Sequence, residues 1–138
     1  MKTHKKIFII DDEEILRFIA KTIAKKIDNC INITTFNNGY EAISSLKQML
    51  FVSKDELPDI ILIDINMPVM DGWQFLDEFI KIKSQFLKEI AIYILSSSTS
   101  DEDIYKTKGY AEVTGYLIKP IETNALRKII QFEFSEAS

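Results

Sequence analysis

The chain has one cysteine, one histidine and one tryptophan in 138 residues, with three prolines and four glycines. Each scarcity excludes something. A lone Cys30 cannot form an internal disulfide, and its company suits a reducing, cytoplasmic setting. Cys30 is expected to be a small packing residue rather than a reactive centre. Without a Cys/His cluster, zinc is a poor candidate for any metal site. His4 sits in a basic leader with Lys2, Lys5 and Lys6 and is expected to be solvated. That leader is not expected to be a targeting peptide, because the apolar run behind it stops at Ile10 and meets Asp11-Asp12-Glu13-Glu14. Long apolar runs are also missing, so no membrane span is expected. Lys plus Arg is 17 against 21 for Asp plus Glu, a net charge of −4. A nucleic-acid partner held by a broad basic face is therefore not expected. Internal repeats and low-complexity segments are absent. The length and a hydrophobic content of 46% suit one domain with a real core, and a single domain over residues 1–138 without an output domain is expected.

Two kinds of apolar segment alternate along the chain. Residues 7–10, 31–36, 60–63, 91–95 and 116–118 are short and rich in Ile, Leu and aromatics, which predicts strands. Between them, apolar residues fall at helical spacing. The first such stretch runs from about Glu14 to Ile27, with Leu16, Ile19, Ala20, Ile23 and Ile27 on one face. The second runs from about Tyr40 to Leu50, and the third starts near Asp71 and carries Phe75, Leu76, Phe79 and Ile82. A fourth, less regular helix begins after Thr99-Ser100-Asp101, where small polar side chains can cap free amides. The last begins near Thr123-Asn124. Five β-α units with wholly apolar strands predict an α/β fold, a doubly wound parallel sheet covered by helices on both faces.

Ligands in such sheets sit beyond the carboxyl ends of the strands, where strand order reverses. Asp11 and Asp12 follow the first strand, Asp64 closes the third, Ser96 ends the fourth and Lys119 follows the fifth. Three carboxylates in one crevice repel one another, so either their pKa values rise or a divalent cation neutralises them. A hard cation held by few carboxylates, keeping waters in its shell, points to magnesium. Such an ion leaves positions open for phosphoryl oxygens, and Lys119 supplies a point charge from the other side. Ser96 offers a hydroxyl, and Asp64 is placed to act as nucleophile towards phosphorus. Taken alone, an acidic pair after a strand is an ordinary helix start favoured by the dipole. The joint occurrence at successive strand ends is what points to function.

The same residues resemble a response-regulator receiver domain of two-component signalling, across roughly Lys6 to Phe132. The matching elements are Asp11-Asp12, Pro58-Asp59-Ile60-Ile61-Leu62-Ile63-Asp64, Met67-Pro68, Met70-Asp71-Gly72, Ser96 and Gly115-Tyr116-Leu117-Ile118-Lys119-Pro120. The resemblance implies the flavodoxin-like (βα)5 strand order 2-1-3-4-5. It implies that Asp64 accepts a phosphoryl group from a histidine kinase or phosphotransfer protein. Asp12 and Asp64 would bind Mg2+ directly, Asp11 mainly through water and Asn66 through its backbone carbonyl, while Lys119 would contact the phosphoryl group. A cis Lys119-Pro120 bond is implied as well. The family's switch pairs a hydroxyl with an aromatic, here Ser96 and Tyr116. Ser97 follows directly, so the hydroxyl role lies with Ser96 or Ser97, with Ser96 preferred because it ends the apolar run. Asn66 and Ser98 occupy positions that tune phosphoryl lifetime in the family.

Two surfaces complete the expectation. Ile15 and Phe18 lie off the core stripe of the first helix, with Thr22 continuing their line; they are either covered by a loop or serve as a docking face for the phosphodonor. Tyr105, Tyr110, Phe132 and Phe134 enrich the region of the fourth and fifth helices. Most of them are expected to pack, although the family signals and forms homodimers through the corresponding face. Trp73 is expected to be a half-buried start to the third helix. The protein is thus read as a non-enzymatic module limited to taking and slowly losing its own phosphoryl group, with an unidentified downstream partner. The rival is a magnesium-dependent phosphatase with an Asp nucleophile. Such an enzyme needs an acid two residues after the nucleophile, and Asn66 stands there.

Overall fold

In a computed structural model that describes residues 5–97 and 100–135, five strands alternate with five helices. They are β1 (Lys5–Ile10), α1 (Glu14–Ile27), β2 (Ile31–Phe36), α2 (Gly39–Val52), β3 (Ile60–Asp64), α3 (Gly72–Ile82), β4 (Ala91–Ser96), α4 (Asp101–Lys108), β5 (Val113–Ile118) and α5 (Thr123–Glu133). All strand pairs are parallel, in the order β2-β1-β3-β4-β5. This is the doubly wound order 2-1-3-4-5. The order reverses between β1 and β3, so the chain leaves these neighbours towards opposite faces and opens a crevice beyond Ile10 and Asp64.

Strand periodicity divides the core in two. Phe8, Ile10, Ile61, Ile63, Ile92 and Ile94 face α2 and α3, where Leu46, Phe75 and Phe79 meet them. Ile7, Ile9, Ile60, Leu62 and Leu95 face α1 and α5, where Ala20, Ala24, Leu126 and Ile130 meet them. Because both faces are covered, β3 is buried at every position, and this explains its unbroken apolar run.

Some expectations change. β5 begins at Val113, earlier than the apolar run at 116–118 suggested, because Thr114 and Gly115 carry no apolar signal. Gly115 is there for space: a Cβ would lie 2.9 Å from the Tyr93 ring. Cys30 is exposed rather than packed, in the turn between α1 and β2 where its amide donates to Asp28 Oδ1. Ile19 is 44% exposed, at the margin of the α1 core stripe instead of inside it. Of the four aromatics expected mostly to pack, Phe134 is buried and Tyr110 half-buried, whereas Tyr105 and Phe132 face solvent. Trp73 is half-buried as expected, stacked on Tyr110 with Lys106 over its ring. Ser100 caps α4 by accepting from the Asp103 amide. His4, Ser98 and Thr99 lie outside the described residues.

Candidate functional site

Main-chain bonds frame the crevice, helped by Arg17 and a helix cap. Asp11 N donates to Phe36 O, which pins the end of β1 to β2, and Arg17 reaches back to donate to Asp11 O. Lys119 N donates to Ser96 O at 2.8 Å, tying the end of β5 to the end of β4. The peptide bond from Lys119 to Pro120 is cis. On the other side, Asp71 and Gln74 form a reciprocal capping box at the start of α3. Gly72 N donates to Ile65 O, and a Cβ on Gly72 would lie 2.7 Å from both Asp64 O and Ile65 Cα. The glycine is thus required by the close approach of α3 to the end of β3. Between these anchors, Met70 N donates to Pro68 O across Val69, whose φ is 69°. A three-residue turn with positive φ at a β-branched residue is a strained form. It is held by Gly39 N donating to Met70 O and by burial of Met67.

Onto this frame the predicted site residues converge. Carboxylate oxygens of Asp11, Asp12 and Asp64 lie within 4.8 Å of one another. Asp11 is fully buried, Asp64 nearly so, and Asp12 is exposed. Lys119 Nζ lies 2.8 Å from Asp11 Oδ2, 3.4 Å from Asp64 Oδ2 and 3.3 Å from Glu13 Oε1. The other oxygens are held by local amides: Asp11 Oδ1 accepts from Glu13 N, and Asp64 Oδ1 accepts from Asn66 N. Asn66 itself is exposed at the mouth. Ser96 is fully buried while Ser97 is exposed. Ser96 and Tyr116 project from the same face of neighbouring strands, since Ser96 is in register with Ile118. Tyr116 is half-buried against the α2/α3 side of the core.

The electrostatics follow from burial. Desolvation pushes the Asp11 carboxyl above its ordinary range, and contact with Lys119 offsets only part of this. Burial likewise raises Asp64, and the neighbouring Asp11 charge raises it further. For Lys119, burial works to lower the pKa, but the Asp11 and Asp64 carboxylates outweigh it and hold the ammonium above its ordinary value. Asp11 Oδ2 is buried and, despite the ion pair with Lys119, accepts no hydrogen bond of proper geometry. Three converging carboxylates that are under-neutralised, one with an orphaned oxygen, fit an oxygen-preferring divalent cation such as Mg2+.

Glu13 and Arg17 are site residues that the pattern of strand ends did not disclose. Both lie where the apolar periodicity reports only a helix start. On the α1 surface, Ile15 and Phe18 are 74% and 69% exposed, so no loop covers them among the described residues. Thr22 is half-buried, its hydroxyl donating to Phe18 O.

The family profile of the response regulator receiver domain matches residues 7–131. PilG of Pseudomonas aeruginosa is 35% identical over 124 residues, covering 88% of this chain and 81% of that protein. Other curated relatives are longer. The chain spans 46% of a probable methanogenesis regulatory protein of Methanothrix harundinacea and 51% of a probable transcriptional regulator of Pyropia yezoensis. Among solved structures, a two-component response regulator from Cytophaga hutchinsonii superposes with a TM-score of 0.84 at 30% identity, covering 98% of this chain and all of that one. The phosphorylated cyanobacterial phytochrome response regulator RcpA gives 0.78 at 28% identity, covering 99% of this chain and 98% of that one. A sheet of order 2-1-3-4-5 with an acidic crevice at its switch point, in a chain whose residues 7–131 match the family profile, places this chain in the response regulator receiver family of two-component systems.

Proposed function

We propose that Asp64 is the phosphoacceptor of this receiver, and that Lys119, Ser96 and an acidic metal site complete the machinery. The observation that carries the reading is the Lys119 ammonium, 3.4 Å from Asp64 Oδ2 at the edge where three carboxylate oxygens converge. Asp12, Asp64 and the Asn66 carbonyl would hold Mg2+ directly and Asp11 through water. The bound ion supplies charge neutralisation for a phosphoryl group approaching carboxylates that would otherwise repel it.

In the transfer, an Asp64 carboxylate oxygen attacks phosphorus in line with the departing group. The new O–P bond forms as the donor's N–P or O–P bond breaks, and the leaving imidazole or carboxylate keeps the electron pair. Lys119 pairs with a phosphoryl oxygen, and the Ser96 hydroxyl donates to another. The movement of Ser96 towards the new charge vacates space beside the β5 face, and Tyr116 turns into it. A local charge event is thereby read out on the α4-β5-α5 surface. Tyr105, Ile118 and Phe132 are exposed there and offer contacts for a downstream protein or a second copy of the chain. The exposed Ile15 and Phe18, with Thr22, form the docking face for a histidine kinase or phosphotransfer protein.

Incubation with acetyl phosphate and Mg2+, followed by intact mass measurement, tests the assignment. The wild type should gain one labile phosphoryl group, and Asp64→Asn should gain none. An equal adduct on the variant would move the acceptor elsewhere.

A further inference from the structure

We infer that Glu13 is a positioning residue: its carboxylate restrains the Lys119 ammonium in the unphosphorylated protein and must release it when the phosphoryl group arrives. The inference deepens the phosphoacceptor reading of Asp64 and rests on it. Glu13 stands at the N-cap of α1, yet its side chain makes no capping hydrogen bond. Short side chains such as Ser, Thr, Asp and Asn are the ones that satisfy free amides at this position. The glutamate reaches instead to Lys119, 106 residues away in sequence, at 3.3 Å.

The three partners of Lys119 differ in how easily they let go. Asp11 and Asp64 are buried at strand ends, whereas the Glu13 side chain is 65% exposed. An ammonium has three N–H donors. Three carboxylates surround it at 2.8, 3.3 and 3.4 Å, and of these contacts the one to Glu13 has hydrogen-bond geometry. A phosphoryl oxygen on Asp64 needs one of those donors, and the exposed carboxylate is the one that water can take over at little cost. Glu13 therefore sets how readily Lys119 turns towards the incoming group, without itself touching phosphorus.

Two variants separate contact from charge. Glu13→Gln removes the charge; Glu13→Asp keeps it but is one methylene shorter, so it is drawn to the α1 amides and away from Lys119. The first readout is labelling of the Lys119 amine by trinitrobenzenesulfonate in metal-free protein at fixed pH, followed by peptide mass. The second is the rate at which Asp64 gains a phosphoryl group from acetyl phosphate with Mg2+. Both variants should label Lys119 faster than wild type. Both should also accept the phosphoryl group roughly threefold faster, the scale that loss of one exposed ion pair allows. A merely structural role would separate the variants, because Asp can add a cap that the wild type lacks and Gln cannot.

Wild-type labelling in both variants overturns the inference, as does a Glu13→Asp protein that matches wild type in both readouts while Glu13→Gln does not. If wild type gains a phosphoryl group at Asp64 and neither variant differs in rate, the inference alone falls. If wild type gains none, the phosphoacceptor reading falls and takes the inference with it.

Discussion

Burial of Asp64 beside the fully buried Asp11 sets two like charges in a poorly solvated crevice, with one ammonium between them. Desolvation leads the upward shift of Asp64, and the Asp11 charge adds to it. A neutral isostere removes both penalties. In metal-free buffer at neutral pH, Asp64→Asn should be more stable than wild type by about 1 kcal/mol, at the low end of what replacing a poorly compensated buried charge yields. The sign with pH follows from linkage. The folded pKa of Asp64 lies above its ordinary value of 3.8, so the native state binds this proton more tightly than the unfolded chain. The contribution of Asp64 is then most favourable below that value and is lost as pH rises through the raised folded pKa. The advantage of the variant should be larger at neutral pH and fade as pH falls towards about 4. Urea midpoints of both proteins in a chelator, taken at the two pH values, check this. Mg2+ should then stabilise wild type more than the variant, because a ligand that binds the native state raises its stability. An unchanged gap at low pH would mean that Asp64 carries no such penalty.

At the scale of elements, the start of α3 determines where Asp64 points. The helix enters so close to β3 that Gly72 has no room for a side chain, and the atoms in the way are backbone. Gly72→Ala should therefore cost about 3 kcal/mol, in the upper range for overpacking, and should weaken Mg2+ binding because Asp64 shifts with its carbonyl. Gly109→Ala is the control. At that helix end φ is −74° and a Cβ would meet only Lys106 O, at 3.3 Å. Its effect should stay within a few tenths of a kcal/mol. Chemical denaturation of the two variants in parallel, with Mg2+ titration, separates the cases. The sequence made Met70-Asp71-Gly72 legible as a helix start, but not the reason for its glycine, which is a contact with residues earlier in the chain. Val69 was hidden for the opposite reason. Valine favours extended backbone, and nothing local reports that neighbouring anchors hold it at φ 69°. The early start of β5 was likewise masked by Thr114 and Gly115, since strand propensity there is replaced by pairing with β4.

For the whole molecule, alternation of strands and helices was enough to predict a parallel sheet with its site at the carboxyl edge. Strand order came from the resemblance, because periodicity says nothing about which strands are neighbours. The acids and the lysine were legible through their position after apolar runs, whereas Glu13 was not, because its partner lies at the far end of the chain. Surface hydrophobics were the least legible. The spacing of Ile15 and Phe18 allowed either a covering loop or an open face, and the fold decides for an open face. An exposed apolar pair beside the proposed phosphoacceptor has meaning if a large donor must seat itself there, while a small donor needs no seat. Phe18→Asp should slow transfer from a phosphorylated histidine kinase or phosphotransfer partner about tenfold, the size of a moderate interface hot spot. It should leave acetyl phosphate labelling of Asp64 unchanged, because Phe18 is 69% exposed and lies outside both halves of the core. Parallel rate measurements with the two donors decide the matter. A loss of the same size with both would mean that the substitution disturbs the crevice itself, and the docking role of α1 would have to be abandoned.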